Sequence, residues 1–254
     1  MMHYTSDRFW EIDALRGIAI IMMVIYHISY DLFFLSGFPI KIHSIPWVLF
    51  QRTTASLFLL LVGTSLTISN SKLKGKLSNK DIIKRNFLRG IKIFIWGFII
   101  TLFTLIFLND GIILFGILHL IGISIIISYP FLKHKYKNLV IGTGIILIGT
   151  YLGKFNFDTP YFLWLGFEPK YFFSFDYFPI FPWFGVVLIG IFLGNVFYPQ
   201  GKRDFNMPEF SNYYIIKMLS FLGKHSLKIY LLHQPIIVLI FYIIGLADLS
   251  FVMI

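Results

Sequence analysis

His27 and Asp31 lie four residues apart in an otherwise apolar stretch, with His43 and Arg52 following in the next turn and segment. A spacing of four puts His27 and Asp31 on one face of a helix. From there a carboxylate can fix an imidazole's tautomer and raise its basicity, which is the beginning of a general base. Arg52 suits a developing oxyanion or an acidic ligand. Ionisable groups at membrane depth are expensive unless paired or wet, and are functional by default. The plainer reading is that His27 and Asp31 only satisfy each other or a neighbouring helix, but a bare ion pair is an expensive fastener. With Arg16 at the inner interface, a helical rise puts His27 about 16 Å and Asp31 about 22 Å along the span. The four side chains can then converge on one outward-facing cavity.

The other polar residues in apolar surroundings are fewer. His119, in Gly116-Ile-Leu-His119, reads either as a hydrogen-bonded packing residue or as a ligand. His233 and Gln234 precede Pro235, so they either satisfy the backbone carbonyls that a proline frees or belong to a site. Lys84, Arg85, Arg89 and Lys92 step into an apolar run on nearly helical spacing, which suits either phosphate recognition or interfacial anchoring. His3, His134 and His225 fall in tails or loops and have no expected role. No HExxH or comparable cluster is present, and no metal is expected. GxxxxGK[ST] and GxGxxG are also missing. With no cysteine there is no thiol nucleophile and no disulfide.

The elements that must carry these groups are membrane helices. Hydrophobic residues make up 57% of the 254 and charged residues 13%, which a soluble domain of this size could not bury. Apolar runs of spanning length recur at 17–35, 45–68, 91–108, 112–132, 139–153, 178–198 and 227–246. The expectation is one all-α domain over 1–254, a polytopic transmembrane bundle of about seven spans with the N-terminus cytoplasmic. Asp7, Glu11 and Asp13 before the first run argue against a cleaved signal peptide.

The net charge of +10 resolves into topology once it is mapped. Under that arrangement eighteen Lys and Arg residues fall on inner segments and three, Lys41, Lys154 and Lys170, on outer ones. Nucleic acid is therefore not an expected partner. The stretch 72–89 reads as an inner loop, and 212–222 as an amphipathic helix on the inner surface. The segment 158–178 carries ten aromatic rings, either an interfacial belt or a lid over an outward-facing site. GxxxG spacing at Gly149/Gly153 and Gly190/Gly194 fits close helix packing and also admits a homodimer seam.

Several stretches together resemble a known family. They are the run from Arg8 through Asp13, Arg16 and Gly17 to His27, then Tyr30-Asp31-Leu32, Arg52 to Leu66, Gly116 to His119, Asp176 to Gly185, and Gly223 to Pro235. This order is similar to the heparan-α-glucosaminide N-acetyltransferase catalytic-domain family (DUF1624-like), within the wider acyltransferase-3-like group. The resemblance implies acyl transfer, usually of acetyl from cytoplasmic acetyl-CoA, to a sugar or glycan hydroxyl or amine across the membrane. It places His27 where the first-span motif closes with His or, in some relatives, Asn. His43 falls near the outer-turn His of the lysosomal relatives, and Arg52 where those carry an acidic residue.

On this reading His27, Asp31, His43 and Arg52 are the catalytic candidates. Arg16, Lys84, Arg85, Arg89, His119 and His233 are the candidates for holding the acyl-CoA donor. The setting would be the plasma membrane of a prokaryote. The rivals are a proton-coupled transporter or flippase with a His27–Asp31 relay, and a non-catalytic membrane subunit that tolerates alanine at all four positions.

Overall fold

The computed structural model describes residues 8–108, 111–157 and 160–247. His3, Asp7 and residues 158–159 lie outside them. Among the described residues the protein is all-helical: α1 (Trp10–Phe34), α2 (Ile45–Leu73), α3 (Asn79–Phe107), α4 (Ile117–Ile127), α5 (Tyr136–Leu152), α6 (Ile180–Phe197), α7 (Tyr214–Lys224) and α8 (Ser226–Ile243). Short 3-10 turns occupy Tyr129–Phe131, Pro160–Leu165 and Pro199–Gly201. Five helices, α1, α2, α3, α6 and α8, are long and apolar enough to cross a membrane, while α4 and α5 are apolar but shorter. An integral membrane protein follows from these lengths and compositions.

The helices overrun several sequence-predicted ends. α1 begins at Trp10, seven residues before the apolar run, because Glu11 and Asp13 favour the positive end of its dipole. The expected inner loop 72–89 shrinks to a short connection. α2 runs on to Leu73 and α3 starts at Asn79, where the Ser78 hydroxyl accepts the Asp81 N–H at 3.2 Å. An N-cap of this kind lets polar residues begin a helix, so Lys80 to Arg89 form its first turns. The expected fourth span contracts instead. α4 has 11 residues between Gly116 and Ser128, and Pro130 follows in the next turn.

Packing divides the chain into two compact units. One comprises the described parts of Met1–Leu61 and Asn206–Leu249; the other contains Val62–Phe205. In the second, small residues let backbones approach closely. Added Cβ atoms at Gly142 and Gly185 would each strike the other's carbonyl oxygen, and Gly90 and Gly122 show the same reciprocity between α3 and α4. Thr64 on α2 donates to the Gly190 carbonyl of α6 at 3.0 Å. The buried residues of α3, which are Ile82, Asn86, Gly90, Gly97 and Thr104, make one narrow stripe, and most of its large apolar side chains face outward. Gly149 meets Pro182, and Gly194 meets Thr64 and Thr67, so the Gly190/Gly194 pair and the first glycine of the Gly149/Gly153 pair are engaged within the chain.

The aromatic segment before α6 is tied down along its length. The Phe175 N–H donates to Gly111 and the Phe178 N–H to Phe115, at 3.1 and 2.9 Å, and the Tyr177 hydroxyl donates to the Leu163 carbonyl at 2.8 Å. Burial raises the Glu168 carboxyl above its ordinary pKa. Burial, and then the Glu168 charge, raise that of the Tyr177 phenol.

In the first unit α1 packs on α7. Gly17 faces the Leu219 carbonyl and Gly223 faces the Asp13 carbonyl, with no room for a Cβ at either glycine. α7 is the expected amphipathic helix, with Tyr214, Ile215, Met218 and Phe221 exposed on its outer side. α8 closes over α1 around Ile237 and Phe241, against which Val24, Leu32 and Leu35 pack.

Candidate functional site

Four polar side chains from α1 and α8 meet within this first unit. His27 and Asp31 stand one turn apart on α1, while His233 and Gln234 are adjacent on α8, just before Pro235. The proline has no N–H to offer the preceding turn, so α8 carries a local gap in its hydrogen-bond ladder beside both residues. The His27 and His233 rings lie edge to face, with centroids 4.6 Å apart.

Each imidazole is fixed by its own helix. His27 Nδ1 lies 2.9 Å from the Met23 carbonyl and His233 Nδ1 lies 2.6 Å from the Tyr230 carbonyl. A carbonyl only accepts, so each ring carries a proton on Nδ1, and in its neutral form presents Nε2 as a lone pair. His233 Nε2 is buried and has no hydrogen-bond partner among the described residues. Tyr26 packs its ring edge-on to His27 and also lies against Tyr30 and Trp47, giving the pair an aromatic flank.

Asp31 does not orient His27 as its spacing suggests. Gln234 Nε2 donates to both carboxylate oxygens of Asp31, at 3.0 and 2.8 Å, and the tautomer of His27 is set by Met23. The reason is local: in a helix a side chain's nearest acceptor is the carbonyl four residues back, while an amide from α8 offers the carboxylate an N–H. In the sequence Gln234 is paired with His233 before Pro235, open between a carbonyl-satisfying and a site role, and is given no contact with Asp31. The signal for it was the presence of Asp31, because a buried carboxylate requires a donor and the last apolar run holds few.

The remaining candidates lie elsewhere. His43 is exposed in the connection after α1, its ring edge-on to Phe33 at 5.7 Å. Phe33 is six residues past His27, or about 9 Å further along the helix. An open hollow bounded by Phe33 and residues 39–44 includes His43 but none of His27, Asp31 and Arg52. Arg52 is exposed on α2. Arg16 is bonded to the buried Asp13 at 3.0 Å. Lys84, Arg85 and Arg89 are exposed on the first turns of α3.

His119, in the second unit, has a different setting. Its Nδ1 accepts the Gly116 N–H at 3.2 Å, and its ring packs against Phe94, Phe115 and the surface of Gly97. Asp176 accepts the Ile117 N–H at 3.1 Å, so the two side chains together cap the start of α4. Replacing Asp176 by Ala is expected to remove about 1 kcal/mol of stability. A melting temperature unchanged from wild type in detergent would contradict that role. No group of three or more metal-ligating side chains occurs among the described residues.

Comparison with known proteins adds one finding. The profile of the family described as heparan-alpha-glucosaminide N-acetyltransferase, catalytic, matches residues 8–235. No curated protein and no solved structure matches the chain. The matched region takes in His27, Asp31, His119, His233 and Gln234 and covers most of the 254 residues. Together with the membrane-length helices, it shows that the chain belongs to the heparan-α-glucosaminide N-acetyltransferase catalytic family, a family of membrane acetyltransferases.

Proposed function

We propose that the protein moves an acyl group, acetyl in the first instance, from cytoplasmic acyl-CoA to a hydroxyl or amine of a sugar or glycan on the outer side of a prokaryotic plasma membrane. The observation that carries this reading is the His27–His233 pair, two imidazoles with fixed Nδ1 protons and Nε2 lone pairs. Nε2 of His27 takes the proton of the acceptor as its oxygen or nitrogen attacks the thioester carbonyl. Collapse of the tetrahedral intermediate then expels the CoA thiolate, which regains a proton. The variant with an acyl-imidazole intermediate uses the same atom as nucleophile.

Lys84, Arg85 and Arg89 are exposed where phosphates from the cytoplasm would meet them, which suits the donor's anionic end. Arg16 is held by Asp13 and His119 is engaged in the α4 cap, so we give both a supporting role. His233 we place beside the reacting group, against His27. His43 and Arg52 we assign to the acceptor side, where their exposure leaves them available. Lipid surrounds the helices, and the Gly190/Gly194 pair lends no support to a homodimer because its contacts lie within the chain.

Calorimetry of the detergent-purified protein with acetyl-CoA, with CoA and desulfo-CoA as controls, tests the donor. Saturable binding of acetyl-CoA that weakens in a Lys84→Ala/Arg85→Ala/Arg89→Ala variant is the expected result. Absence of binding, together with a CoA-independent flux driven by a pH gradient in proteoliposomes, would instead assign the histidines and Asp31 to proton-coupled transport.

A further inference from the structure

Gln234 has a geometry that neither general acid–base chemistry nor donor binding uses. Its Nε2 reaches both oxygens of Asp31, a carboxylate only 4% exposed, across the boundary between α8 and α1. His233, the residue before it, is in edge contact with His27, four residues before Asp31. The two contacts lie in neighbouring turns of the same helix pair. A bond at one fixes the rotation and translation of α8 against α1, and so the separation of the imidazoles at the other. Neither imidazole is oriented by the carboxylate, since each Nδ1 is taken by its own helix. What Asp31 can govern from its position is where α8 sits.

We infer that Gln234 is a positioning residue: by holding both carboxylate oxygens of Asp31 it sets the approach of His233 to His27. This rests on the reading of that pair as the reacting site. Without the amide, Asp31 becomes a buried carboxylate without this donor and α8 is free to shift by fractions of an ångström. Misplacement on that scale is enough to slow a reaction that depends on alignment.

The test exchanges the two groups. Asp31→Asn, Gln234→Glu and the double variant Asp31→Asn/Gln234→Glu are compared with wild type for melting temperature, kcat and KM. Each single substitution is expected to lower the melting temperature and to reduce kcat by about 10- to 100-fold with little change in KM. The double variant restores an amide–carboxylate pair with its ends reversed, and is expected to recover the melting temperature and most of kcat. Additive melting losses in the double variant would overturn the clamp, whatever the transfer activity. Recovery of the melting temperature without kcat would show that the carboxylate must stand at position 31 for chemistry, which would also overturn the positioning role. A wild type that transfers no acyl group while the melting temperatures show the expected recovery would instead defeat the acyl-transfer reading, and the positioning role with it, and leave only a structural contact.

Discussion

His27→Ala is expected to lower kcat/KM for acyl transfer by at least about a hundredfold, in the range found when a general base is removed. The substitution deletes the Nε2 that would accept the acceptor's proton and removes the ring that meets His233 edge to face. His43→Ala is expected to have a smaller effect, about tenfold or less, because that imidazole is exposed and packs against Phe33. The informative comparison is His27→Asn, which keeps a polar group on α1 but cannot take a proton at neutral pH. Steady-state rates with the radiolabelled acetyl donor decide the matter. Wild-type turnover in His27→Asn beside an inactive His43→Ala would move the base to the turn after α1.

Gly223→Val should prevent stable folding, a loss of at least about 3 kcal/mol at the upper end of overpacking effects. A Cβ there meets the Asp13 carbonyl oxygen, which is backbone and has nowhere to go. Gly17→Val is expected to behave alike, since its Cβ would run into the Leu219 carbonyl. Gly144→Ala is the control. This glycine lies inside α5 with nothing within 4 Å of an added Cβ, so alanine should be neutral or stabilising by about 0.5–1 kcal/mol. Size-exclusion profiles and melting curves in one detergent read out all three. A monodisperse Gly223→Val with the wild-type melting temperature would mean that α7 does not pack on α1 as described.

These glycines bear on how far the sequence could be read. Within the family-like opening Asp13–Arg16–Gly17, the sequence offers Arg16 as a candidate for the acyl donor. In the fold the same stretch also packs the helices: Arg16 bonds Asp13, the Asp13 carbonyl faces Gly223, and Gly17 admits α7. The helical class and the membrane setting were legible because apolar runs of spanning length, repeated along a chain, need lipid to cover them. The ends were not, since caps such as Ser78 lie in polar sequence and carry no hydropathy signal.

At the site, spacing brought out His27 and Asp31 but not their partners. A period of 3.6 reports which residues share a face and says nothing about which helix lies opposite. Hence the contact of Gln234 with Asp31, 203 residues away, could be found only through the fold. The same limit applies to His119, whose ring neighbour Phe94 comes from α3 and whose fellow cap of α4, Asp176, comes from the segment before α6.

The aromatic segment before α6 shows what anchoring does to binding entropy. Its backbone is held to the α3–α4 connection and its rings hold one another, Phe172 to Tyr177 and Phe173 to Phe175, at 5.0 and 5.2 Å. Rings paired in this way have given up part of their rotameric freedom on folding. A planar or sugar-like surface laid against them would have less left to order, and more of the contact energy would be available for affinity. A mobile flap with the same composition would bind more weakly. This part of the chain is accordingly braced by its own backbone bonds and ring pairs.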